Sequence, residues 1–154
     1  MKQKPVQCMV LCLVLILPSI AFSYQENLQV KVSVKGGCTT TGNDEAHFGE
    51  HTSGQPHSIL NATGAVRYWC SVGTRHDIKV DNGQNYSGSS RKMALTPTGG
   101  VEIPYDLTYT PPSGVGSGAG NPLKVDVNVS LAANALQNVP PGEYEDTVTV
   151  TVEP

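Results

Sequence analysis

The chain has 154 residues, of which 10 are Lys or Arg and 13 Asp or Glu, so it is mildly acidic at −3. Its one basic doublet outside the leader is Arg91-Lys92. Nucleic-acid binding, which needs a concentrated positive face, is therefore not expected, and no basic amphipathic stretch suits a membrane surface.

Lys2 and Lys4 precede an apolar run from Val6 to Leu17, followed by Pro18-Ser19-Ile20-Ala21-Phe22-Ser23. A basic start, a short apolar core and small residues before the cut read as a signal peptide over residues 1–23. The core, about a dozen residues, is short of the roughly 20 a spanning helix needs. Cleavage after Ser23 leaves a chain of one-domain length. Cys8 and Cys12 go with the leader, and Cys38 and Cys70 remain. Two cysteines in an exported chain most simply form one disulfide, which would stabilise by about 3–4 kcal/mol in the chain-entropy account. The absence of Cys-x-x-Cys spacing argues against metal thiolates.

From Asn27 the sequence alternates strictly, with Leu28, Val30, Val32 and Val34 on one face and Gln29, Lys31 and Ser33 on the other. Gly36 to Ser58 reads as a long polar loop whose apolar foothold is Phe48-Gly49. Alternation returns over Leu60–Cys70, then briefly at Ile78 and Val80, closed by the turn residues Asp81-Asn82-Gly83. Met93 and Leu95 suggest a further short strand. Val101 to Tyr109 and Leu123 to Leu131 alternate without fault, separated by a flexible loop, 111–122. Ala132 to Leu136 suits a single turn. Tyr144 to Val152 reads as one last strand. Six or seven short strands between Gly, Pro and Asn clusters, with no helical period beyond the leader, predict an all-β antiparallel sandwich. Strands at both extremes of an exported chain suggest backbone edges meant to pair with another molecule, a second copy included.

Chemistry-bearing motifs are few. Gly114-Val115-Gly116-Ser117-Gly118-Ala119 matches the dinucleotide fingerprint in letters, but it lies between Pro111-Pro112 and a strand pattern and reads as a loop. His47, His51, His57 and His76 lack a ligand pattern and read as solvated loop residues. No serine sits in G-x-S-x-G and no cysteine is left free as a nucleophile, so no catalytic residue, metal or cofactor is expected and the chain reads as a non-enzyme. Asn61, Asn85 and Asn128 head glycosylation sequons that chance accounts for in so Asn-, Ser- and Thr-rich a chain.

Several blocks, in order, carry a family likeness: Gly37-Cys38, Phe48-Gly49, Cys70, Ile78-Lys79-Val80-Asp81-Asn82-Gly83, Arg91-Lys92-Met93, Ile103-Pro104-Tyr105-Asp106-Leu107 and, most specific, Pro140-Pro141-Gly142-Glu143-Tyr144-Glu145-Asp146-Thr147-Val148-Thr149-Val150-Thr151-Val152. By these the chain resembles the spore coat protein U family, which includes pilins of archaic chaperone–usher pili. It departs in ending Glu153-Pro154 and in the stretch Ser130 to Leu136. The resemblance implies an incomplete immunoglobulin-like sandwich completed by donor-strand exchange. Residues 24–34 would be the donor segment, with Leu28, Val30, Val32 and Val34 entering a neighbour's groove, and residues 35–154 the pilin domain. It implies neighbouring pilin subunits, a periplasmic chaperone and an outer-membrane usher as partners, and export through the periplasm to surface fibres serving adhesion and biofilm formation. The alternatives are a secreted monomeric coat or carbohydrate-binding module using the loops 36–58 and 111–122, and a small exported hydrolase.

Overall fold

The computed structural model describes residues 24–154; the expected signal peptide, 1–23, lies outside the described residues. Of the described residues, 24–33 and the segment Val34–Pro154 belong to two separate units. In the first, residues 24–33 adopt neither helix nor strand, and Leu28, Val30 and Val32 are exposed. A lone extended segment has no ladder to join, so alternation by itself makes no strand.

The second unit is all-β. Nine strands follow one another: β1 (Cys38–Asp44), β2 (Leu60–Cys70), β3 (Arg75–Val80), β4 (Arg91–Thr96), β5 (Glu102–Thr110), β6 (Ser113–Val115), β7 (Leu123–Leu131), β8 (Glu143–Glu145) and β9 (Val150–Glu153). They form a six-stranded sheet, β1-β2-β7-β5-β4-β8, and a three-stranded sheet, β6-β3-β9. Every strand pairing is antiparallel.

The expected antiparallel sandwich is present where the two sheets face each other. Tyr68, Cys70 and Val125 of the larger sheet meet Ile78 of the smaller, with half-buried Val80, Val150 and Val152 beside them. The smaller sheet covers only part of the larger. A second cluster, Ile103, Tyr105, Val129 and Leu131, is roofed by loops: Ala46 and Phe48 from the β1–β2 connection, and Ala135, Leu136 and Val139 from the turn after β7. Burial on β2, β5 and β7 follows the alternation, as a sheet with one inward face requires.

Three expectations are corrected. The loop 36–58 opens with β1, and the glycine-rich loop 111–122 contains β6. Neither segment alternates, because each is an exposed or short edge strand held by its partner's backbone: β1 runs along β2 with a bulge between Thr40 and Gly42, and β6 pairs with Arg75–Asp77. Each loop is thus built into a sheet over part of its length, and residues 45–59 and 116–122 remain irregular. The segment Tyr144–Val152, expected as one strand, is two strands in different sheets, β8 against β4 and β9 against β3, with the crossing at Asp146–Thr149.

Candidate functional site

The chain's strongest candidate for a working surface is the outer edge of β9. Asp81 donates its amide to Thr149 O at 3.0 Å, Gln84 donates its amide to Thr147 O at 3.2 Å, and Thr149 returns its amide to Asp81 Oδ1 at 2.9 Å. Thr147 and Thr149 therefore turn their backbone groups toward β3 and the loop that follows it. Along a strand these groups alternate sides, so Thr151 and Glu153, opposite Lys79 and Asp77, face β3 as well. Val148, Val150 and Val152 must point the other way. Their three N–H and three C=O groups have no partner among the described residues. The same three valines direct half-buried side chains into the two core clusters. An unpaired backbone edge thus runs beside incompletely covered apolar side chains, which is the arrangement an added strand satisfies.

Two carboxylates position this edge. Asp146, at the crossing between β8 and β9, accepts the amides of Gln84 and Asn85 at 2.9 and 3.1 Å and the Tyr105 hydroxyl at 2.6 Å. Asp81 caps its own turn by accepting Gly83 N at 2.9 Å, in addition to Thr149 N. These amides hold the Asp81 carboxyl below its usual range, Thr149 contributing most. Burial, with Asp146 beside it, pushes the Tyr105 hydroxyl far up, so it remains a donor. Gly83 sits at φ +83 with the Asp146 carboxylate where a Cβ would be, so both conformation and space demand glycine. The block Tyr144–Val152 is therefore more than a strand pattern, because its Asp146 ties the sheet change to the Asp81-Asn82-Gly83 turn.

Cys38 and Cys70 are bridged as expected, linking β1 to β2 at a directly paired position. The bridge fixes the strand that begins where the N-terminal segment leaves the domain: Ser71 N donates to Gly37 O at 2.9 Å and Gly37 N to Ser71 Oγ at 3.2 Å. Val34, at the root of that segment, is 86% exposed, and Leu28, Val30 and Val32 are 88–89% exposed. Four large apolar side chains in one alternating row, all in water, are a surface without an occupant.

His76 overturns the reading of the histidines as solvated. It is 3% exposed and its Nε2 lies 2.8 Å from the Tyr68 hydroxyl, the two rings meeting edge-on. That partner, eight residues away on β2, permits burial of a polar ring. Cys38, Cys70 and His76 bring three ligand atoms within 4.8 Å of one another, but both sulfurs are committed to the disulfide. Two shallow hollows of about 140 and 120 Å³ share Asp106 and Ser130, the first lying over β2, β5 and β7 and the second between β5 and the residues Ser90 and Ala132. They assemble no nucleophile–base pair.

The sequence profile of the Spore Coat Protein U domain matches residues 24–151. The chain belongs to the Spore Coat Protein U domain family. No curated protein matches it. Among solved structures, this Spore Coat Protein U chain is similar to a chain of the CsuC–CsuE chaperone–tip adhesion subunit pre-assembly complex from the archaic chaperone–usher Csu pili of Acinetobacter baumannii. The TM-score is 0.51 and the identity 23%, covering 78% of this chain and 40% of that one. A chain of a chaperone–tip adhesin complex described for activation of CFA/I fimbriae biogenesis aligns with TM-score 0.40 and 11% identity, over 73% of this chain and 41% of that one. The chain thus spans less than half the length of either matched chain. The Csu likeness is one of fold, and it agrees with the all-β antiparallel architecture.

Proposed function

We propose that the chain is a non-enzymatic structural subunit of an archaic chaperone–usher pilus, joined to its neighbours by donor-strand complementation. The observation that carries this reading is the match of parity between two parts of the chain. At the open edge, Val148, Val150 and Val152 offer free backbone groups and point their side chains inward. In the N-terminal segment, Leu28, Val30, Val32 and Val34 form an alternating apolar row with no cover of its own. In an antiparallel ladder directly opposed residues share a face, so Leu28–Val34 of one copy facing Val148–Val152 of another sends both rows into the core. A slip of one residue would turn Gln29, Lys31 and Ser33 inward, so only even shifts are allowed.

Four apolar side chains at about 1.5–3 kcal/mol each, with several backbone hydrogen bonds at about 0.5–1.5 kcal/mol each, suffice for a long-lived joint. Before assembly the same edge needs a temporary strand, the part of a periplasmic chaperone, with an outer-membrane usher exchanging it for the next subunit's segment. Residues 1–23 then serve as the export signal, and the fibre stands on the cell surface, where it supports adhesion and biofilm formation. The test is a denaturing gel of unreduced samples, boiled and unboiled. Ladders that survive detergent and collapse on boiling are expected; a single monomer band in both lanes, from cells that also make chaperone and usher, would overturn the reading.

A further inference from the structure

Half of the larger sheet is roofed by loops, and one histidine fastens them together. The roof consists of Ala46 and Phe48 from the loop 45–59, and Ala135, Leu136 and Val139 from the turn 132–139. At their junction His57 N donates to Asn134 Oδ1 at 3.1 Å and Asn134 N donates back to His57 O at 3.2 Å. Asn134 presents both groups by adopting φ +64, a left-handed conformation that asparagine tolerates better than most residues. His57 Nδ1 lies 2.6 Å from Ser58 O. A carbonyl only accepts, so Nδ1 carries the hydrogen. Nε2 is then the lone-pair nitrogen, and it receives the Leu136 amide at 3.1 Å. The ring is held in one neutral tautomer. A second proton has only Nε2 to go to, where it would confront an N–H.

We propose that His57 is a proton-operated latch: neutral, it fastens the Phe48 loop over the second core cluster, and protonated, it lets that loop lift. The charges around it agree. The turn 132–139 reads Ala-Ala-Asn-Ala-Leu-Gln-Asn-Val and holds no carboxylate to compensate an imidazolium. On the loop itself Glu45 pairs with His47 at 3.1 Å, and Glu50 makes no hydrogen bond or ion pair among the described residues. The His51 ring lies 6.3 Å from His57, so a charge on one opposes a charge on the other. His51 Nε2, 2.9 Å from Phe48 O, is a donor there, so its bond survives protonation. Beneath the roof, the Tyr105 and Tyr144 hydroxyls donate to Asp146 and to Pro140 O. A proton on Nε2 and the Leu136 N–H compete for the same position, so acid works against the closed arrangement. Val148, the first residue of the open edge, packs in the same cluster as Phe48, so lifting the loop uncovers that end of the edge.

The latch stands or falls independently of polymerisation, since it is read residue by residue in the full chain in whatever assembly it is purified. Hydrogen exchange of the amides of His57, Asn134 and Leu136 is followed by NMR at about pH 7.5 and about pH 5, corrected for intrinsic rates, a range in which histidine changes charge. The expected result is a loss of protection of about tenfold or more at the lower pH, with Val66 and Val127 unaffected. His57→Gln supplies an amide oxygen for the Leu136 N–H and does not titrate, so it should keep the loop closed at both values. His57→Ala should leave it open at both. Equal protection at both values in the natural chain, or the same acid loss in His57→Gln, would overturn the proposal; if His57→Ala fails to fold, the His57→Gln comparison still decides.

Discussion

Tyr105 donates its hydroxyl to Asp146 at 2.6 Å, from the middle of β5 to the point where the chain leaves the larger sheet for the smaller. The bond locks a core strand to the sheet change that creates the open edge. Asp146→Ala leaves that hydroxyl and the Gln84 and Asn85 amides without their shared acceptor. It should cost about 2–3 kcal/mol, whereas Tyr105→Phe, which leaves the amides paired, should cost about 1–2 kcal/mol. Denaturant midpoints of the two variants beside the natural chain check the order; equal losses would mean that the amide contacts carry no weight.

Asp81 should make the domain acid-sensitive. The Thr149 and Gly83 amides bind its charged form in the folded chain and lower its acidity range below the usual one. A depressed carboxyl contributes stability above its unfolded value, near pH 4, and loses it as pH falls through the lower folded value. Unfolding followed by circular dichroism should therefore grow easier below about pH 4. Asp81→Asn should be weaker at neutral pH and less steep in acid. An unchanged acid slope would remove Asp81 from the account.

Proline at two adjacent positions of β9 separates its two edges. Val150 N–H points away from β3, so Val150→Pro should leave the β3–β9 ladder standing, as proline is accepted on a free edge. Thr151 N–H faces β3, so Thr151→Pro should unseat β9 from its sheet. Folding is read by recovery of disulfide-bonded chain, and strand acceptance by binding of a synthetic peptide of residues 24–35. Val150→Pro should fold and refuse the peptide. If it accepts the peptide as the natural chain does, the open edge is elsewhere.

On the donor side, Val32→Asp should abolish detergent-resistant polymers, because an unpaired carboxylate entering an apolar groove costs several kcal/mol or must neutralise. Lys31→Gln, one residue away on the polar face, should be nearly silent. Both should still yield folded subunit, since residues 24–33 belong to no ladder in the structure. A folding failure in Val32→Asp would make the segment an internal strand.

Thiol titration of unreduced, denatured protein should find no free cysteine among Cys38 and Cys70. Cys38→Ser should lower stability by about 2–5 kcal/mol, as loss of a native bridge does in small exported domains. Retention of full stability would show that the β1–β2 ladder alone suffices.

Much of this fold was legible in the chain. Leu60–Cys70 and Leu123–Leu131 read as strands with the bounds the structure shows, because each has one buried face and burial writes a period of two into the side chains. Cys38–Asp44 was not legible: Thr39, Thr40, Thr41 and Gly42 bury nothing, and the strand is held by backbone bonds to β2 that leave no pattern. Nor was the burial of His76, since a polar residue goes inside only when a partner is waiting, and Tyr68 reaches it from another sheet. The apolar row Leu28–Val34 was plain from the residues, as was the alternation of Tyr144–Val152. What the alternation could not show is that the second row changes sheets midway, or that Val148, Val150 and Val152 keep an edge to which no strand is hydrogen-bonded among the described residues. Side-chain periodicity reports only which face is apolar. Which backbone groups are paired depends on where distant segments come to lie, and here Asp81, Tyr105 and Asp146 settle that only once the chain is folded.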